Sequence, residues 1–189
     1  NELKNLMRNV FAVKYNYKFP IWGKDIINKS INESYKYTPG VINEELNWVS
    51  GIQAGTFYYS NGDNQNAIIL NTGPELVIGS LKNDFFDYTK IGLMASKGFK
   101  NGDSPYDFDS INSSPRVQLD LEQQIIGPLI FSYENSMNLD TGEFSKPNYG
   151  LDLKRRAYSL GAFYNTSNKS FGIKLNIFNF DYSGVTKSF

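Results

Sequence analysis

Between Ser170 and Ile177 the chain alternates strictly. Phe171, Ile173, Leu175 and Ile177 are large and apolar, while Gly172, Lys174 and Asn176 are polar or have no side chain. A period of two belongs to an extended strand, whose successive side chains point to opposite faces. A strand that is oily on one side and polar on the other suits two surroundings. In a soluble sandwich the oily side meets a second sheet; in an outer-membrane barrel it meets lipid while the polar side lines the lumen. Beyond it, Phe178, Phe180 and Tyr182 change phase and load the chain end with aromatics.

The same alternation recurs upstream. Val13, Tyr15, Tyr17 and Phe19 alternate with Lys14, Asn16 and Lys18, a strand that Pro20 should end. Before it, Leu3, Leu6, Met7 and Val10 have helical spacing and predict a short leading helix. Residues 21–46 contain Pro39-Gly40 and are read as a long connection. Trp48–Tyr59 is a strand, Ser60–Asn66 a hairpin turn with Asn-Gly, and 67–80 a strand that Gly73-Pro74 should interrupt with a bulge or bend. A turn over Leu81–Phe86 precedes a strand through Thr89, Ile91, Leu93 and Ala95. Lys97–Pro115 reads as a long polar loop.

The second half is more regular. Val117, Leu119 and Leu121 oppose Gln118, Asp120 and Glu122. Past Gly127-Pro128, Leu129, Phe131 and Tyr133 oppose Ser132, Glu134 and Ser136. Tyr149, Leu151 and Leu153 oppose Gly150, Asp152 and Lys154, and Tyr158–Tyr164 leads to the closing strand. The expected fold is all-β, an antiparallel up-and-down meander of about nine strands in one region, residues 1–189. No βαβ alternation points to a parallel sheet.

Two features favour lipid outside this meander. Aromatics cluster near strand ends, as at membrane interfaces. Counting back from the C-terminus, connections alternate between longer polar loops (165–169, 140–147, 97–115, 60–66) and short turns (154–156, 125–128, 81–86), as expected for the two rims of a barrel. A soluble barrel or sandwich would also have polar exposed faces, so both readings stand at this point.

Composition narrows the chemistry. The chain has no Cys and no His, which excludes Zn sites of the usual kind, Cys nucleophiles and Ser-His-Asp triads. With 19 Lys plus Arg against 19 Asp plus Glu, no net charge calls for nucleic acid. No apolar run approaches the roughly 20 residues of a spanning helix. The first residue is Asn and no basic-then-apolar leader follows it, so the chain is expected to be a mature protein or an internal-to-C-terminal piece, with any export signal lying upstream.

Several stretches resemble a known family. Ser104-Pro105-Tyr106-Asp107-Phe108-Asp109, Leu121–Leu129, Ser136–Glu143, Arg155–Ser159 and Ser170–Lys174 with Phe178-Asn179-Phe180 carry the likeness. So do Phe19–Lys24, Tyr37-Thr38-Pro39 and Tyr58–Asp63. They are similar to the C-terminal barrel region of a cyanobacterial family, formerly catalogued as a domain of unknown function. That family is related to the LPS-assembly (organic solvent tolerance) outer-membrane protein LptD. The resemblance implies the C-terminal part of a transmembrane β-barrel in the outer membrane of a Gram-negative-type cell, with a periplasmic jellyroll encoded upstream. It implies transport of lipopolysaccharide into the outer leaflet through a polar lumen and a lateral seam. The implied partners are lipopolysaccharide or other outer-membrane lipid, the components of the periplasmic LPS-transport bridge, and the barrel-assembly machinery. Proteobacterial members carry a cysteine pair near the position of Arg155-Arg156. None is present here, so neither that disulfide nor the family's lipoprotein plug is carried over.

On this reading the last strand is the seam, with Phe171, Ile173, Leu175 and Ile177 facing lipid, and Gln118, Asp120, Glu122, Glu134, Asp152 and Lys174 line the lumen. The rival for each seam residue is a plain bilayer anchor. Asp120, Glu122 and Glu134 are expected to solvate the lumen rather than act as acid and base. Asp103, Asp107 and Asp109 fit no Ca²⁺ loop spacing and read as a solvated loop, and Lys154-Arg155-Arg156 as a solvated turn. No catalysis, metal or cofactor is expected. The alternatives are a self-closing small outer-membrane pore or structural barrel, and a soluble lipid-binding β-barrel.

Overall fold

The computed structural model describes residues 7–24, 37–38, 42–106, 111 and 113–178. Nine strands form one antiparallel sheet in sequence order: β1 (Arg8–Gly23), β2 (Glu45–Tyr59), β3 (Asn64–Gly79), β4 (Tyr88–Gly102), β5 (Arg116–Ile126), β6 (Leu129–Asn138), β7 (Asn148–Lys154), β8 (Tyr158–Asn165) and β9 (Ser170–Ile177). The meander read from the alternation is therefore present. The sheet is open: among the described residues β1 and β9 each have one neighbour.

Several local expectations are corrected. The leading helix lies partly outside the described residues, and its last residue, Val10, belongs to β1, paired with Phe57. Pro20 does not end β1. The register shifts between Pro20 and Trp22, a bulge that absorbs the missing N–H, and pairing resumes to Gly23. Gly73-Pro74 does not break β3, because Trp48 and Val49 pair with both residues in unbroken register. Glycine is needed there: a Cβ on Gly73 would strike the backbone carbonyl of Leu93. Lys97–Gly102 is not loop but the end of β4, held by β3 through pairs such as Lys97↔Leu70 and Phe99↔Ile68.

Register sorts the side chains into two faces. One row runs across eight strands without a polar residue: Leu46, Leu76, Ile91, Leu121, Tyr133, Tyr149, Tyr164 and Phe171. The row beside it, on the other face, is Asn47, Glu75, Gly92, Asp120, Glu134, Asn148, Asn165 and Ser170, with no apolar side chain.

These rows also reveal shear. Leu46 lies about six residues to the short-turn side of the midpoint of β2, while Phe171 lies about two to three residues to the long-loop side of that of β9. That stagger, roughly 28 Å at ~3.3 Å per residue, accrues over roughly 34 Å of sheet width. The resulting tilt, ~40°, is what strands need in order to wrap into a barrel.

The connections 60–63, 103–115, 139–147 and 166–169 share one rim, and 80–87, 127–128 and 155–157 share the other with the long β1–β2 connection. Asx-type contacts shape the first rim: Asn61 Oδ1 accepts from Asp63 N (3.1 Å), Asn138 Oδ1 from Asp140 N (2.9 Å) and Asn165 Oδ1 from Ser167 N (2.8 Å).

A small cluster of buried apolar side chains sits at the short-turn rim, and Tyr59 and Ala67 are buried apart from it. Tyr37, Val77, Leu81, Tyr88 and Ile130 make up the cluster, with Ile42 against them. Tyr37 Oη donates to Asp84 Oδ1 at 2.9 Å. Gln124, fully buried, ties the rim together: its Nε2 donates to Asn83 O and Gly127 O (2.8 Å each), and its Oε1 accepts from Asp87 N (2.6 Å).

Candidate functional site

The polar face curls into a groove of about 680 Å³ lined by residues of all nine strands, from Lys14 and Asn16 on β1 to Lys174 on β9. Glycines sit on this face because curling crowds its side chains. Added Cβ atoms would meet the Asn16 and Asn71 amides at Gly51, the Ser132 hydroxyl at Gly150, and both Asp152 and Lys174 at Gly161. At Gly172 the vacancy is filled by the Phe163 ring of the paired strand.

Charges in the groove are mostly paired. Glu75 binds Lys18 (2.5 Å) and Lys90 (2.8 Å), so one β3 carboxylate links β1 to β4. Glu122 accepts from Lys154 Nζ (3.0 Å) and from Tyr88 Oη (3.2 Å), with the lysine 5.5 Å above the tyrosine ring. Lys174 binds Asp152 at 2.9 Å. Asp120 and Glu134 face one another across β5 and β6, and Gln118 Nε2 donates to Asp120 Oδ1 at 2.8 Å. Such a surface is polar and close to neutral.

At the short-turn rim Asp87 is held differently. Burial raises the pKa of its carboxyl, but the N–H groups of Lys82 (2.6 Å) and Asn83 (3.1 Å), the Asn83 amide (3.0 Å) and Ser80 N–H outweigh burial and leave it below the ordinary aspartate range.

A family model described as a protein of unknown function (DUF3769) matches residues 1–181 of the chain. The chain belongs to the DUF3769 family. No curated protein and no solved structure matches it.

In this DUF3769 chain all six lumen candidates, Gln118, Asp120, Glu122, Glu134, Asp152 and Lys174, lie on the polar face. The four seam candidates lie on the opposite face, with Phe171 68% and Ile173 70% exposed and Leu175 and Ile177 nearly as open. Sequence reasoning missed Glu75, hidden behind the supposed break at Pro74, although Asn71, Glu75 and Val77 share the odd-numbered face of β3. Lys154, read as part of a solvated turn, ends β7 on the polar face and reaches Glu122, and the turn itself is Arg155, Arg156 and Ala157. Asp107 and Asp109 lie outside the described residues, and Asp103 pairs with Lys100 at 2.8 Å.

Proposed function

We propose that this chain is a β-barrel segment of the outer membrane, related to LptD-like LPS-assembly proteins, that takes part in moving lipopolysaccharide into the outer leaflet. The observation that carries the reading is the division of one sheet into two unlike faces. The outward face exposes Phe11, Ile52, Leu93, Leu119, Leu160, Tyr164 and the β9 seam residues, with no second layer over them among the described residues. In water an apolar area of this extent would drive association; in acyl chains it is the expected barrel exterior. The inner face, with paired charges and amides, suits a hydrated path for a polar headgroup.

Strand parity argues against a self-closing pore. In a meander of nine strands the first and last run in the same direction, so β1 and β9 could meet only as a parallel pair, whereas bacterial barrels of this type have even numbers of antiparallel strands. Closure by an odd number of further strands keeps every seam antiparallel, and it satisfies edge N–H and C=O groups that hydrocarbon would leave unpaired at several kcal/mol each. The place where β9 meets those strands is the proposed lateral exit. The chain contains no nucleotide-binding loop, so transport energy would be supplied by other components of the bridge.

The reading is tested by depleting the full-length protein in its own cell. It expects the chain to resist carbonate extraction from outer membranes and surface lipopolysaccharide to fall on depletion. Retention in the membrane with unchanged surface lipopolysaccharide would refute the transport role, and extraction by carbonate would refute the barrel.

A further inference from the structure

Among the described strand residues, one charged side chain stands on the oily face: Lys97 of β4. It is exposed, and it makes no ion pair or side-chain hydrogen bond with the described residues. Every other Lys, Arg, Asp and Glu in the nine strands points to the polar face, by the register of the two rows. On a lipid-facing surface a lysine is strongly unfavourable at mid-bilayer and nearly free at the interface. Its height is therefore informative.

The shear of the sheet gives that height. The long-loop ends of β5 and β6 (Arg116, Asn138) lie about five residues from the Leu46–Phe171 row, and those of β7, β8 and β9 about one residue from it. The rim thus slopes by about one residue per strand, and continued across the sheet it crosses β4, β3 and β2 at about residues 97, 69 and 54. Lys97 falls on this line. So does a notch of about 430 Å³ between β2, β3 and β4. Small Ala54, with Ile68 and Phe99, gives the notch an apolar floor, and Thr56, Asn66 and Asn101 place hydroxyl and amide groups on its rim side. Below the line, Ile52, Leu70 and Leu93 continue the apolar surface. Lys100, nearby, is committed to Asp103.

We propose that Lys97 and this notch hold the headgroup phosphate of an anionic membrane lipid at the long-loop interface, with the acyl chains lying along Leu70 and Leu93. The proposal rests on the outer-membrane reading. The lysine stem can run rimward past Phe99, carrying an ammonium with free hydrogen-bonding capacity toward the Thr56, Asn66 and Asn101 groups two same-face rows above it, while Leu70 and Leu93 form the apolar wall for the acyl chains.

The test uses the full-length protein in nanodiscs of phosphatidylcholine mixed with phosphatidylglycerol, released into a mass spectrometer to count retained lipids. The wild type and Lys97→Arg should retain phosphatidylglycerol preferentially. Lys97→Gln should reduce that retention by about fivefold, and Ala54→Phe, which fills the notch without changing charge, should reduce it also. Equal retention by wild type and Lys97→Gln would overturn the proposal, leaving Lys97 as a side chain that merely reaches water. Displacement of the lipid by inorganic phosphate alone would overturn it as well. Carbonate extraction of the same variants separates the two levels: retained protein with unchanged lipid counts defeats only this site, whereas extracted protein defeats the barrel reading beneath it.

Discussion

Lys174 Nζ on β9 lies 2.9 Å from Asp152 Oδ1 on β7, and the pair closes over Gly161 of the strand between them. Lys18 reaches Glu75 across β2, and Lys154 reaches Glu122 across β6, in the same way. Alternate strands of a flat sheet are roughly 9.6 Å apart, twice the ~4.8 Å spacing. Long side chains that meet over the intervening strand are therefore favoured by a sheet that curls toward them, and in the Lys174–Asp152 pair Gly161 keeps the path clear.

Replacing that glycine should separate the pair. Gly161→Val is expected to cost about 1–2 kcal/mol by overpacking, and Gly161→Ala less, because the Asp152 and Lys174 tips can swing aside. Gly73→Ala should be worse, about 2–4 kcal/mol, since the Leu93 carbonyl it meets is backbone. Denaturant midpoints in detergent micelles, followed by fluorescence of Trp22 and Trp48, rank the three. Equal losses at 73 and 161 would contradict the geometry.

The small cluster at the short-turn rim should behave as a true core. Ile130 is fully buried whereas Ile173 is 70% exposed. Truncating the first to Ala should cost about 2–4 kcal/mol with its cavity, and truncating the second should cost under ~1 kcal/mol in detergent, which solvates the site in either form. The same denaturation assay separates the two.

Acid should loosen the turn at Asp87. Its carboxyl titrates below the unfolded value of about 3.9, so the stabilisation from its N–H partners is complete above that value. It is lost as pH falls through the lower, folded pKa. Thermal midpoints of the wild type should therefore fall on moving from pH 5 to pH 3 by more than those of Asp87→Asn, which is less stable at pH 7 but lacks this titration. Parallel curves for the two proteins would rule out the linkage.

Charge placement should discriminate the faces. Leu121→Arg puts a guanidinium in the apolar row, at an expected ~2–4 kcal/mol against insertion near mid-bilayer. Gln118→Arg, three residues away but on the groove side, should insert normally. Heat-modifiable mobility of the assembled protein reports both, and equal assembly would argue against lipid on the Leu121 side.

Much of this architecture was legible in the sequence because period-two alternation is a local property. Val117–Glu122 and Phe171–Ile177 declare both strand and face without reference to any neighbour. What escaped depended on pairing. Pro20 reads as a terminator and Gly73-Pro74 as an interruption, yet a bulge accommodates the first, and β2 keeps its register past the second. Lys97–Gly102 looked like loop because it is polar and glycine-containing, and only its pairing with β3 makes it strand. Glu75 was hidden for the same reason, and its partners Lys18 and Lys90 are distant in sequence. The strand-skipping ion pairs were beyond reach altogether, since they depend on how far the sheet curls.

None of these 189 residues is cysteine, so a cysteine introduced into this region is the only one within it. Single cysteines placed one at a time from Phe171 to Ile177 in the membrane-assembled full-length protein can carry a nitroxide whose collisions with oxygen and with a water-soluble nickel chelate are measured. Positions 171, 173, 175 and 177 should favour oxygen, which concentrates in acyl chains, and 172, 174 and 176 should favour the nickel reagent. Nickel access at all seven positions, or protection of the odd set from both reagents, would contradict a sheet that turns its oily face to lipid.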